Sequence, residues 1–305
     1  MTAPVAVVPH ITVEADGASL SSADVAALAE VRVRQVLSAP AQCELTFADP
    51  PGPLDIAVRL GPGTRLRVAA AGQPEPLFVG DVTAIGYVYE AAQGRQLRVR
   101  AYDVLHRLRK RQPVRLHVEV GADDLARELV ADLGLTVEAQ ATAPTWPRLI
   151  QHGQSDFELV REVAERSGLY LAVRDDVLHL VTLEGRGDPV ELTLGQNLHE
   201  ARIEVNGDRA ARSVRALGWD PLRAQQYEAT GSSARSGRSV ATEADPGALG
   251  GSPERTIVDA LALDATHAAG LAQADLDGRT GDEVTVSAAC DGDTRLRPGA
   301  RISLK

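Results

Sequence analysis

The chain has 305 residues, 44% of them hydrophobic but only 3% aromatic, and its 42 acidic residues outnumber 32 basic ones for a net charge of −10. That length suits about two domains with cores of their own, filled mainly by Val, Leu and Ala, and the apolar share excludes a disordered chain. The acidic balance, with a pI near 5.2, excludes general affinity for nucleic-acid backbones, which requires a basic stripe to displace counterions.

From the N-terminus, Ile11 to Val13, Val31 to Leu37, Ala41 to Phe47, Arg65 to Ala69, Val79 to Tyr89 and Arg95 to Tyr102 alternate apolar and polar residues as short strands. Turn clusters such as Gly61-Pro62-Gly63 separate them, and strands at this spacing predict a sandwich or barrel. Leu54 to Leu60 suits either a strand edge or a short helix. Near Val118 the pattern changes. Leu125, Leu129 and Leu133 place one apolar face on a helix over Ala122 to Leu133, with Asp123 and Asp124 in its first turn and Gly134 as its stop.

After an extended Thr142-to-Pro147 connection, Gln151 to Val181 reads as a helix followed by a hairpin. Ser155 and Glu158 form a capping box, Phe157, Val160 and Ala164 make a stripe widened by Leu159 and Val163, and Gly168 ends the helix. Leu169 to Val173 and Val177 to Val181 flank Arg174-Asp175-Asp176 as two strands, so the helix is expected to pack on a small sheet. Val190 to Leu194, Leu198 to Val205 and Ala210 to Leu217 return to strand patterning. Gly231 to Pro253, rich in Gly, Ser and Ala, predicts a long loop, and Asp264 to Leu276 a surface helix packing through small residues, before a strand at Glu283 to Ala289.

The residues offer no persuasive catalytic, cofactor-binding or metal-ligating set. The seven histidines are scattered, with no His-x-x-x-His pair and no Cys-His group. His152 near Asp156 and His106 near Asp103 can each be drawn as an acid-base pair, although chance neighbours of this kind are common. Asp156 follows the helix cap and is expected to order the helix start; Asp103 is expected to cap the turn after its strand. Trp146 and Trp219 are read as core or rim packing, and Cys43 and Cys290 as two lone thiols, although a disulfide between them stays open. The basic cluster His106 to Arg115 is either a solvated end or a contact for an acidic partner. The N-terminus lacks a basic n-region and no run is long enough to cross a membrane, so synthesis in the cytoplasm without membrane insertion is expected.

Three segments resemble the phage late control protein D and VgrG-type hub family. The stretch Gln151 to Val181 resembles its Gln, acidic-or-Ser, Asp-Phe and Gly-Leu-Tyr signature. Leu77 to Gln112 is similar to its F-x-G-x-V … L-x-V-x-A-Y-D-x-L-H-x-L segment, and Val214 to Pro221 to its Gly-Trp-Asp-Pro strand end. The resemblance covers most of the chain from about Val31. It implies a mainly β fold with an α+β insert: tube-type β-barrel domains and a small helix-containing domain. The first barrel then occupies residues 1–117, the insert 118–187, strands returning to the barrel region 188–230, a flexible loop 231–255, and the start of a second, truncated barrel 256–305. It also implies a non-enzymatic baseplate hub in a contractile phage-tail-like injection particle: a homotrimer joining a hexameric inner tube protein to a trimeric spike protein beside other baseplate proteins, with no cofactor. A tail-associated cell-wall hydrolase, using carboxylates such as Asp156 and Glu158, and a carbohydrate- or surface-binding β module are the alternatives.

Overall fold

The structure, a computed structural model, describes residues 10–50, 53–91, 94–220, 223–238, 254–259 and 262–305. The chain divides into two compact units, Met1–Arg107 and Leu108–Lys305, so the first ends earlier than the expected residue 117.

In the first unit β1 (Ile11–Ala15), β2 (Ala18–Ser19), α1 (Ser22–Ala27), β3 (Leu28–Arg34), β4 (Gln42–Ala48), α2 (Pro53–Arg59), β5 (Arg65–Ala70), β6 (Phe78–Glu90) and β7 (Gly94–Tyr102) follow one another. The strands form one antiparallel sheet ordered β2-β1-β5-β6-β7-β4-β3. Period-two alternation sends Cys43, Leu45 and Phe47 of β4, Leu66 and Val68 of β5, and Leu97, Val99 and Ala101 of β7 inward. Val13 of β1 and Phe47 of β4, far apart in the strand order, share this core, so the sheet curls around a single interior. Ile56 and Leu60 enter the same core, which settles this stretch as the helix α2 with Leu60 in the turn that follows it: an i, i+4 apolar pair needs helical spacing to face one side. A register shift between Val82 and Ala84 bends the long β6. Gly80 lets β6 approach β7, because a Cβ there would run into the Tyr102 carbonyl oxygen and the Phe78 ring. Among the described residues no pairing joins β2 to β3, so the curled sheet has an open seam there.

A 3-10 turn over Val104–Lys110 leads into the second unit. There β8 (Arg115–Val120), α3 (Ala122–Val130), β9 (Thr136–Ala139), β10 (Trp146–Gln151), α4 (Asp156–Glu165), β11 (Tyr170–Arg174) and β12 (Val177–Val181) form the α/β part. β8 pairs with β10, while β9 joins β12 in parallel beside the β11–β12 hairpin, whose turn residues Asp175 and Asp176 take the positive φ that such a tight turn requires. Helix α4 packs on β11 as expected, and Phe157, Leu159, Val160, Val163 and Ala164 are all buried. Ser155 and Glu158 close the capping box at both hydrogen bonds, and Gly168 takes φ +68.

The remaining elements are β13 (Arg186–Leu192), β14 (Leu198–Val205), β15 (Ser213–Asp220), β16 (Gln225–Gly231), β17 (Glu254–Val258), α5 (Ala265–Glu283), β18 (Val284–Cys290) and β19 (Ala300–Leu304). The strands expected to return to the first barrel at 188–230 do not join its sheet. They pair with the C-terminal strands instead: β13 with β19, β14 with β18, and β15 with β16 and β17. Helix α5 runs beyond the expected Leu276 and lays Ala268, Ala272 and Leu276 against Val214 and Ala216 of β15, a small-residue contact of the kind its sequence announced.

Only part of the expected loop at 231–255 falls within the described residues. Gly231 ends β16 and Glu254 begins β17, while the stretch 239–253 lies outside the described residues. Residues 232–238 are anchored to α5. The Arg235 backbone N–H and guanidinium both donate to the buried Asp277 carboxylate, at 2.6 and 2.9 Å, and Arg238 pairs with buried Glu283 at 2.9 Å. Beside the packing of Ala234 on the α5–β15 core, this polar segment is held by charge-assisted hydrogen bonds, which composition alone does not disclose.

Candidate assembly surface

The side chains that could be drawn as acid-base pairs serve the fold. Asp156 is buried, and its Oδ1 accepts from Nε2 of the fully buried Gln151 at 2.8 Å, while His152 is exposed with Nδ1 at 3.4 Å from the Ile150 carbonyl. Gln151 Nε2 also donates to the Gln154 carbonyl at 3.2 Å, so this side chain locks the strand end of β10 to the start of α4. Glu158, the other carboxylate considered, accepts from the Ser155 N–H and hydroxyl at 2.8 Å each, and these bonds hold its pKa below the usual carboxylate range.

At the other pair, Asp103 Oδ1 accepts from the Leu105 N–H at 3.0 Å, the turn cap expected from sequence. Its Oδ2 also accepts from the Ala41 N–H at 2.7 Å, a tie to the approach of β4 that spacing could not reveal. His106 meets the Asp103 main-chain carbonyl through Nδ1 at 2.7 Å, and its Nε2 lies 3.9 Å from Asp81 rather than against the Asp103 carboxylate.

The basic cluster is largely absorbed by the chain's own acids. Arg107 Nε donates to Asp81 at 2.8 Å in the first unit; in the second, Arg111 forks onto Asp132 at 2.9 and 2.6 Å and Arg109 covers the Phe157 ring. Trp146 is buried, edge-on to His267 and beneath Arg166, whereas Trp219 is half exposed on β15. Cys43 and Cys290 are both free, and burial pushes the Cys43 thiol up to about 12.

The second unit exposes a different kind of feature. Among the described residues strands β14 and β18 pair only with each other, and every residue of β14 after Leu198 is exposed, so this ribbon has no inward face along most of its length. Ile203 stands directly opposite Val286, both open to solvent, with exposed Val205 further along. The parallel pair β13–β19 presents Ile302 and Leu304, and Leu194 follows β13 equally exposed. A ribbon of two strands is marginal alone in water, and its outer edges carry unpaired N–H and C=O groups that suit addition of further strands. Leu192, Val190 and Leu198 form only a small core beneath it, with Cys290 and Leu296 at its margin. Exposed apolar side chains, edges without a partner strand among the described residues and a small core coincide on this surface.

Comparison with known proteins places the chain among tail proteins in fold. A family model described as Alg8 N-terminal domain matches residues 7–305. The 43 kDa tail protein of prophage MuSo2 from Shewanella oneidensis superposes with a TM-score of 0.66 at 15% identity, over 93% of this chain and 83% of that one. A tail protein from Neisseria meningitidis MC58 gives 0.66 at 14% identity, over 97% and 86%. The prophage tail protein gp18 from Listeria monocytogenes EGD-e gives 0.53 at 12%, over 93% and 83%. No curated protein matches the chain in sequence.

Proposed function

The chain belongs to the Alg8 N-terminal domain family, and from that premise we propose that it is a structural baseplate hub of a contractile, phage-tail-like injection particle. In this reading copies of the chain form a homotrimer that joins a hexameric inner tube to a trimeric spike and touches other baseplate proteins. Its action is one of shape, without catalysis or cofactor. The observation that carries the proposal is the exposed β14–β18 ribbon, with Ile203 opposite Val286, in a chain that has the fold of phage tail proteins. Three copies of one chain around an axis repeat the same open edge at each boundary, which gives a ring its closure.

The structural reading is favoured over the hydrolase because Asp156 Oδ1, Glu158 and Asp103 hold Gln151, Ser155 and Ala41 in place. Among the described residues no helix is long and apolar enough to cross a membrane.

Electron microscopy of particles assembled with a tagged copy of this chain tests the proposal. Tag density at the junction of inner tube and spike is the expected result; density along the tube, on the sheath or on fibres overturns it.

A further inference from the structure

Two ribbons of the second unit each leave an apolar face uncovered. In β14–β18 the cross-strand register sets Ala201, Ile203 and Val205 opposite Ala288, Val286 and Val284, so over this stretch one side of the ribbon carries only apolar side chains. Glu200, Arg202, Glu204, Thr285 and Ser287 alternate onto the other side. Such alternation is the pattern of a sheet with one face packed and one solvated, yet Ile203, Val205 and Val286 are all exposed.

The second ribbon is β8–β10, whose strands among the described residues also pair only with each other. Leu116 stands opposite Ile150 and Val118 opposite Arg148. Leu116, Val118 and Ile150 are exposed, as is Val114 just before β8, while the intervening His117 and Gln151 are buried on the other side. The unmatched charges of the two ribbons have opposite sign. Arg148 in the β8–β10 face and Lys110 ahead of β8 have no acidic partner among the described residues. Glu200 on the polar side of β14 and Asp208 just past Val205 have no basic one. Opposite charges of this kind steer two surfaces together and set their register.

We propose that the apolar face of β14–β18 in one copy packs on the β8–β10 face of the next copy, so that each boundary of the trimer is a two-layer sheet made by two chains. The inference rests on the homotrimer proposed above and supplies its second surface. A patch that meets its own copy closes a pair, whereas a ring of three repeats a contact between two different patches of one chain. Stacked sheets lie about 10 Å apart with interdigitated side chains, so Ile203, Val205 and Val286 enter between Leu116, Val118 and Ile150. Both ribbons keep their own strand pairing in this arrangement.

Light scattering of the full chain at low ionic strength tests it with three variants: Ile203→Asp combined with Val286→Asp, Leu116→Asp combined with Ile150→Asp, and the control Val58→Asp, an exposed residue of the first unit. The expected result is a species of three times the 32.3 kDa chain for parent and control, and a monomer for each double variant alone. Mixed in equal amounts, the two double variants are expected to give a species of twice 32.3 kDa. The intact β8–β10 face of the first then receives the intact β14–β18 face of the second, and neither chain can extend the contact into a ring. Arg148→Glu, a single exposed change, carries the test should Leu116→Asp with Ile150→Asp fail to fold, and is expected to weaken assembly about tenfold. A trimer that survives Leu116→Asp with Ile150→Asp, a mixture that stays monomeric, or unchanged assembly of Arg148→Glu overturns the pairing and leaves the trimer standing. A parent chain that is monomeric at every concentration overturns the trimer and the pairing with it.

Discussion

Strands β4 and β14 have similar lengths and opposite fates. In β4 every second residue is buried, Cys43, Leu45 and Phe47, and its neighbours β3 and β7 satisfy both of its edges. In β14 only Leu198 is buried, and among the described residues one neighbour, β18, serves a single edge. The first unit thus encloses a core by curling a sheet around it, while the terminal ribbons of the second hold little core and expose Ile203, Val286 and Ile302. Under the proposed function the contrast separates stability from assembly: residues that hold the chain together lie in other strands than those assigned to contact with another polypeptide.

Substitutions can be ranked against that contrast. Phe47→Ala removes a fully buried ring from the first core and is expected to cost about 3–5 kcal/mol, read as an early transition in urea unfolding. An unchanged first transition would mean that this sheet does not enclose its core. The Cys43 thiol follows with a pH signature. Its folded pKa of about 12 lies above the unfolded value of 9.0, so its contribution is complete below pH 9 and is lost as pH rises toward 12. The loss is up to about 4 kcal/mol, and Cys43→Ala should flatten that alkaline slope in a series of melts.

In the second unit, Gln151→Ala leaves the buried Asp156 carboxylate without its side-chain donor and is expected to cost about 1–3 kcal/mol by chemical denaturation. Ser155→Ala removes one half of the capping box and should cost about 1 kcal/mol, together with local loss of amide protection at the start of α4. Ile203→Asp sits at the bottom of this ranking, within about 0.5 kcal/mol for the isolated chain, because the side chain is already exposed. A large destabilisation there would show that the ribbon is internal support.

Much of the fold was legible in the sequence because local rules governed it. The capping box at Ser155, the Gly168 stop and the alternation of β4 and β7 each depend on residues close in sequence, and each formed as read. What spacing could not show was long-range pairing. Strands at 188–230 carry the same alternation whichever sheet receives them, so their union with β18 and β19 was hidden. Gly80 and Gly218 sit in recognisable motifs, yet the reason for each lies elsewhere in the chain: the Tyr102 carbonyl in one case and the Ala262 carbonyl in the other stand where a Cβ would fall. The same applies to Asp103, whose bond to Ala41 ties the ends of the neighbouring strands β4 and β7, 62 residues apart in sequence.

Solution mass by light scattering across a range of concentrations tests the central claim most directly. The account predicts a species of three times the 32.3 kDa chain for the parent protein, and a folded 32.3 kDa monomer for Ile203→Asp combined with Val286→Asp. A parent chain that stays monomeric at every concentration, or a double variant that still forms the trimer, would contradict it.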